Sequence, residues 1–215
     1  MTTKHRMSAA PSTFIFLLAG ILNPFAAQVA SADITLPSII SDHMVLQRNA
    51  KVTIWGWATP GDRVHVTPSW KQAPTSSTLS AEQGGLWSVT FRTPADPGPY
   101  TIHIAGSGSD ITISDVLLGE VWVCGGQSNM EWSIDAVGPR GLGYDGTREV
   151  LAEANRPQLR YFDVPNVLSA TPTEVCGGKW VVCSPQTAGP FSAVGYFFGS
   201  AIQDQLEVPV GLIGS

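Results

Sequence analysis

The chain has 215 residues and a formal charge of −5, with 43% apolar residues, 13% charged residues and seven tryptophans. That length fits one or two ordinary domains, and the composition excludes a disordered or linker-type chain. Lys4 and Arg6 are the only formal charges among the first 32 residues, so the remainder carries −7. An acidic chain offers no face to neutralise phosphates or anionic headgroups, and neither nucleic acid nor a membrane surface is an expected partner.

The N-terminus reads as an export signal. Lys4, His5 and Arg6 precede the apolar run Thr13-Phe-Ile-Phe-Leu-Leu-Ala-Gly-Ile-Leu22. Ala30-Ser31-Ala32 supplies small residues where a signal peptidase reads them. Residues 1–32 are therefore expected to be a cleaved signal peptide, with a mature chain from Asp33 that is secreted or lysosomal. The apolar run is too short for a transmembrane span, which needs roughly 20 residues. In an exported chain Cys124, Cys176 and Cys183 are oxidisable. Gly177-Gly178 can turn the chain between Cys176 and Cys183, so a bridge there and three reduced thiols are both open readings.

Residues 33–113 read as an antiparallel β-sandwich domain. Lys51-Val-Thr-Ile-Trp-Gly-Trp57 leads into a Pro60-Gly61 turn, and Val64 and Val66 then alternate with polar residues. Trp87, Val89 and Phe91 continue the period of two, followed by Tyr100, Ile102 and Ile104, and by Ile111 and Ile113. Such alternation at short spacing marks strands with one face solvated. Trp55, Trp57, Trp87 and Trp122 are spaced like core aromatics.

From residue 114 to 215 the pattern becomes α/β. Val116-Leu-Leu-Gly-Glu-Val-Trp-Val-Cys124 is nearly continuously apolar, as in a strand covered on both faces. A helix is expected from Thr147 to Ala154, a strand over Leu159-Arg-Tyr-Phe162, and a second strand over Val208-Pro-Val-Gly-Leu-Ile213. Ser192 is placed to cap a helix over Ala193–Leu206, whose Val194, Phe197, Phe198, Ala201 and Ile202 share one face. Strand–helix–strand order points to a parallel sheet with too few strands to flank the 116–124 segment fully.

The chemistry concentrates in Val121-Trp-Val-Cys-Gly-Gly-Gln-Ser-Asn-Met-Glu-Trp132. An apolar strand delivers two glycines and then Ser128, which places a hydroxyl at the strand's carboxyl end. Met130 breaks the Gly-x-Ser-x-Gly elbow pattern, so residue chemistry alone leaves nucleophile and turn-capping serine as alternatives. His65 and His103 sit on the polar side of alternating strands, where solvated side chains are expected, and His43 lies in the loop entering the sandwich, where a packing or turn role is expected. Glu120 and Glu131 show no paired-carboxylate spacing, and no His/Cys/Asp set has metal-ligand spacing. No cofactor or metal is expected.

Gly126-Gln-Ser-Asn-Met-Glu-Trp132 resembles the nucleophile block of the sialate O-acetylesterase family within the SGNH (GDSL-like) hydrolases. Ser41-Asp-His-Met-Val-Leu-Gln-Arg48, Ile54-Trp-Gly-Trp57, Gly98-Pro-Tyr100, Val116-Leu-Leu-Gly-Glu-Val-Trp122, Phe191-Ser-Ala-Val194 and Pro209-Val-Gly-Leu-Ile213 resemble the same family pattern. The resemblance implies a β-sandwich over 33–113, followed by the N-terminal part of a flavodoxin-like SGNH hydrolase domain over 114–215. It also implies a serine esterase that removes O-acetyl groups from sialic acids, with Ser128 as nucleophile and its own backbone N–H as one oxyanion donor. Gly125 stands where relatives commonly have Ser. The family's Asp-x-x-His pair, and its glycine and asparagine oxyanion donors, find no match in these 215 residues. The chain alone is accordingly expected to be inactive. Two other readings stand beside this one: an acetylesterase for other acetylated polysaccharides, and a non-catalytic secreted interaction module.

Overall fold

The computed structural model describes residues 33–70, 77–80, 85–106, 108–137, 146–171, 173 and 175–215, together with Met1. The expected signal segment lies outside the described residues. Ten strands are described: β1 (Val45–Gln47), β2 (Lys51–Trp57), β3 (Arg63–Pro68), β4 (Ser77–Ser80), β5 (Leu86–Arg92), β6 (Tyr100–Gly106), β7 (Ser109–Cys124), β8 (Arg156–Asp163), β9 (Trp180–Cys183) and β10 (Val210–Gly214). Four helices accompany them: α1 (Ser128–Glu131), α2 (Ile134–Val137), α3 (Thr147–Glu153) and α4 (Ala193–Leu206).

Period-two patterning in the first half produces the expected antiparallel strands. β2 pairs with β5 in a two-stranded sheet, while β3, β4, β6 and the start of β7 form an antiparallel ladder. Ile54, Trp87, Val89 and Phe91 from the first sheet meet Val64, Val66, Ile102, Ile104 and Ile113 from the second in one apolar core. The alternation arises because successive strand side chains point to opposite faces, one dry and one wet.

β7 is the strand that joins the two halves. Its first part pairs antiparallel with β6, up to the register Tyr100↔Val116. It then runs parallel to β1 at Val45↔Leu117, and parallel to β10 from Val210↔Glu120 to Gly214↔Cys124. β10 also pairs parallel with β8, and β9 closes that side antiparallel. The result is a mixed α/β arrangement in which the 113/114 position falls inside one uninterrupted strand. The change of partner coincides with Asp115, a non-glycine residue at φ 55°. Asp is among the few non-glycine residues that enter the left-handed region readily.

A buried cation holds this point. Arg160 is 4% exposed. Its Nε donates to Pro157 O at 3.0 Å, and one terminal nitrogen donates to His43 O at 3.0 Å and to Asp115 O at 3.3 Å. The same nitrogen lies 3.0 Å from Asp115 Oδ2, which also bonds His43 Nδ1 at 2.7 Å. His43 thus has the turn role expected of it, at φ 68° in the loop before β1. Burial pushes the Asp115 carboxyl up, but the bonds and charges of Arg160 and His43 outweigh it and hold the group below its ordinary value.

Two expectations are corrected. Trp122 is 45% exposed and Val123 70% exposed, because β1 ends at Gln47 opposite Gly119 and leaves the last residues of β7 flanked on one side only. The apolar stripe of α4 does not face the sheet. Gly195, Tyr196, Gly199 and Ser200 are its buried residues, while Val194, Phe197 and Phe198 are exposed. Helix and sheet come so close at Gly199 that a Cβ there would sit 2.8 Å from Leu212 and 2.9 Å from Leu159. Small residues permit the approach, so they win the buried face. Of the two readings left open for the cysteines, the structure has the one with three free thiols. Cys183 sits in a second core with its thiol on Ala154 O at 3.3 Å, whereas Cys176 packs at the margin of the first core. Burial pushes the Cys183 thiol up to about 11.

Two expectations follow for stability and association. Asp115→Asn keeps a side chain that tolerates positive φ but leaves Arg160 without its counter-charge. It should cost about 2 kcal/mol in urea unfolding, below the 3–5 of a fully buried pair because Asp115 is partly solvated. Because the folded carboxyl lies below its unfolded value, this contribution is present above the ordinary carboxylate range. It fades as pH falls through the lowered folded value, so the wild-type and Asp115→Asn stabilities should converge in acid. The exposed Trp122, Val123, Val194, Phe197 and Phe198 form an apolar surface of the kind that drives association. Val123→Lys combined with Phe198→Glu should lower hydrophobic-dye binding and shift sedimentation towards the monomer.

Candidate active site

β7 ends at Cys124, and Gly125-Gly126 turn the chain into α1, which opens with Ser128. Gln127 precedes the helical turn, and its carbonyl accepts from Met130 N at 2.8 Å and Glu131 N at 3.2 Å. The end of β10 runs beside the turn, with Ser215 N donating to Cys124 O at 3.2 Å and Gly126 N donating to Ser215 O at 3.3 Å. Ser128 is exposed there, and among the described residues its hydroxyl makes no hydrogen bond. This is the strand-end position at which ligands bind in open α/β sheets.

The turn walls a polar cleft of about 160 Å³ with Gly126, Met130 and Glu131 on one side and Tyr161, Asp163 and Ser192 on the other. Each wall has its own support. Ser192 caps α4 by accepting from Gly195 N at 3.2 Å, and its hydroxyl meets Met130 Sδ at 3.4 Å, tying α4 to α1. Glu131 Oε1 accepts from Asn166 Nδ2 at 3.0 Å, which joins α1 to the segment after β8. Tyr161 is 5% exposed, and its ring stacks on Phe191 with centroids 4.8 Å apart.

Burial sets the electrostatics of this cleft. It pushes the Tyr161 phenol above its ordinary value, with the Asp163 charge acting in the same direction. It also pushes up the Asp163 carboxyl. A larger groove of about 420 Å³ adjoins the cleft across Tyr161, Asp163 and Pro190, and Lys179 and Phe191 are among its walls.

Of the residues singled out from sequence, the structure brings Glu131 to this cleft, while Ser128 stands on the turn between the lining residues Gly126 and Met130 and is not itself among those that line it. Among the described residues it does not bring a histidine there. His43 is held by Asp115, His103 by Asp110 at 2.6 Å, and His65 lies on β3 opposite Thr78 and Ala105. Glu120 is engaged elsewhere, accepting from Gln47 at 2.8 Å and Arg48 at 2.9 Å where β1 meets β7. The Gln47 bond, outweighing burial and helped by Arg48, holds its carboxyl below the usual range. Among the described residues no cluster of three or more His, Cys, Asp or Glu is arranged to hold a metal, and no helix is long and apolar enough to cross a membrane.

Sequence reasoning missed Tyr161, Asp163 and Asn166. The signal was available: Tyr161 and Asp163 alternate at the carboxyl end of a parallel strand, where one face must look into the cleft. Gly214 depends on the same contact, since a Cβ there would fall inside the Tyr161 hydroxyl. Gly214→Ala should therefore cost about 1–3 kcal/mol by overpacking. Adding Tyr161→Phe should recover part of that loss in thermal unfolding.

No family model matches the chain. The sialate O-acetylesterase of Mus musculus is 28% identical over 193 residues, covering 83% of this chain and 35% of the relative. That of Homo sapiens is 28% identical over 217 residues, covering 93% of this chain and 40% of the relative. Among solved structures, a carbohydrate acetylesterase from Xanthomonas citri superimposes with a TM-score of 0.77 at 36% identity, over 85% of this chain and 40% of that one. The chain thus spans about two fifths of the length of the relatives it matches. In sequence and in backbone arrangement most of the chain is thus similar to part of the sialate O-acetylesterases and of a carbohydrate acetylesterase.

Proposed function

We propose that the chain carries the nucleophile part of a serine esterase that removes O-acetyl groups from carbohydrates. The observation that carries the reading is Ser128 on an exposed turn at the carboxyl end of β7, beside a cleft walled by the same turn. Ser128 Oγ attacks the acetyl carbonyl, and its own backbone N–H is one donor to the oxyanion. The sugar hydroxyl leaves with a proton, and water then releases acetate from the acetyl-serine. A serine hydroxyl needs a base within hydrogen-bond reach to react at neutral pH. No imidazole of the described residues lines the cleft, so we read the chain by itself as catalytically silent or nearly so.

The family resemblance and the names of the curated relatives support O-acetylated sialic acid as substrate. The higher identity of the Xanthomonas citri neighbour supports acetylated carbohydrate more broadly as the second reading. Under the same proposal, residues 33–113 are an antiparallel β-sandwich and 114–215 the first part of a flavodoxin-like SGNH domain. The shared core of the two antiparallel layers and the parallel set β7, β10 and β8 support this division. Residues 1–32 act as an export signal, and a secreted product whose sequence begins at Asp33 is the expected outcome of N-terminal sequencing.

Residues 33–215 assayed on p-nitrophenyl acetate and on 9-O-acetylated sialic acid should match buffer. Turnover abolished by Ser128→Ala would show that a base is present after all. In a longer form bearing an Asp-x-x-His segment, Ser128→Ala should remove acetyl-ester turnover by several orders of magnitude. Retained activity in that variant would reject Ser128 as the nucleophile.

A further inference from the structure

We infer that this chain pairs with a second copy of itself along the open edge of β7, Val123 against Val123, with Trp122 of each copy seated in a hollow of the other.

Successive residues of a strand direct their N–H and C=O groups to opposite sides. Glu120 N donates to Pro209 O at 2.9 Å and Ser215 N donates to Cys124 O at 3.2 Å, so the even-numbered residues at the end of β7 are engaged with β10. The odd-numbered residues face the other side, where β1 stops at Gln47 opposite Gly119. There Gly119 O accepts from Arg48 N at 2.9 Å, and Val121 N donates to Gln47 Oε1 at 2.9 Å. Past that point no strand of the described residues pairs with this side, which leaves Val121 O and the N–H and C=O of Val123 directed outward. Val123 is 70% exposed. Native edges are blunted by charged side chains, proline or a bulge. Val121-Trp-Val-Cys124 carries none of these.

The missing neighbour is an extended strand, and the edge itself supplies one that fits. Antiparallel pairing about a two-fold axis at Val123 makes two reciprocal N–H···O bonds between the two Val123 residues and sets Val121 opposite Gly125. In the same register Trp122 of one copy lies opposite Cys124 of the other, on the face covered by α4. A hollow of about 260 Å³ opens beside Cys124, with Gly125, Met130, Val194 and Phe198 among its walls. It has room for an indole ring. Trp122 already meets Phe198 edge-on, with ring centroids 5.2 Å apart. Knob and hole lie on one surface and exchange under one rotation, so the contact closes at two copies.

Area and charge agree with this partner. Trp122, Val123, Val194, Phe197 and Phe198 are all more than a third exposed. Together they leave on the order of 500 Å² open, so two copies bury about 1,000 Å², the lower bound of a specific interface. The chain carries a formal charge of −5, yet no charged side chain lines the hollow. Two acidic molecules therefore meet where neither carries its charge.

The test separates backbone pairing from mere apolar adhesion. Val123→Pro keeps an apolar side chain but removes the outward N–H, and proline is admitted where an edge amide faces solvent. In sedimentation velocity at micromolar concentration the full chain should be dimeric. Val123→Pro should weaken the dimer about tenfold or more, whereas Val123→Thr should retain it. Facing Val123 residues would have Cα atoms about 5.5 Å apart, within reach of a disulfide. Val123→Cys should accordingly give a covalent dimer on mild oxidation, while the wild type and Phe197→Cys should not. A wild type that stays monomeric, or a Val123→Pro dimer as tight as the wild type, would overturn the inference. So would cross-linking through Phe197→Cys but not Val123→Cys, and that comparison decides if Val123→Pro fails to fold.

Discussion

The structure depends on the place where a buried guanidinium meets a strand that changes partners. Arg160 projects from β8 into the loop before β1 and the middle of β7, where its Nε and one terminal nitrogen meet three carbonyls and the Asp115 carboxylate. A charge so deeply buried is tolerated only when paired and fully hydrogen-bonded. That requirement locks the spacing of three chain segments distant in sequence. Asp115 at positive φ, His43 at positive φ and the irregular register of β8 between Arg156 and Arg160 all gather around this contact.

The consequences run along β7 towards the candidate site. Once Asp115 has redirected the strand, its remaining residues leave the antiparallel ladder and enter a parallel one with β10. A parallel strand ends where its neighbours also end, so β7, β10 and β8 deliver Gly126, Gly214 and Asp163 to one edge. Ser128 stands on that edge because two glycines let the chain fold back into α1 directly. The close seat of α4 across Gly199 then brings Ser192 against Met130 and completes the opposite wall. The cleft is thus a product of backbone geometry first and of side-chain chemistry second.

Much of this was legible in the residues. Alternation at Trp87-Ser-Val-Thr-Phe91 and at Val64-His-Val66 determined which side chains enter the first core, because strand geometry allows no other choice. Ser192 announced the start of α4, since its hydroxyl satisfies an amide that the helix leaves unpaired. The face of α4 was not legible. Hydrophobic periodicity assigns Val194, Phe197 and Phe198 to the interior, but the distance between helix and sheet is a tertiary quantity, and the buried face is instead taken by Gly195, Gly199 and Ser200 together with Tyr196. Trp122 misled for a related reason. Its local sequence is that of a covered strand, and coverage depends on where β1 stops.

The candidate site divides along the same line. Ser128 and its glycine turn are contiguous in sequence, so a motif carries them. Tyr161, Asp163, Asn166 and Ser192 come from segments separated by turns and a helix, and only the parallel pairing of β8 with β10 and the docking of α4 bring them to one cleft. The sequence by itself determined the strand pattern, the helix cap, the acidic charge and the serine that can act as nucleophile, because each is set by neighbours within a few residues. Tertiary structure alone decided which carboxylates line the cleft, which face of α4 is dry and where β7 changes partners. These are distances between segments remote along the chain, and no local pattern encodes a distance that only packing sets.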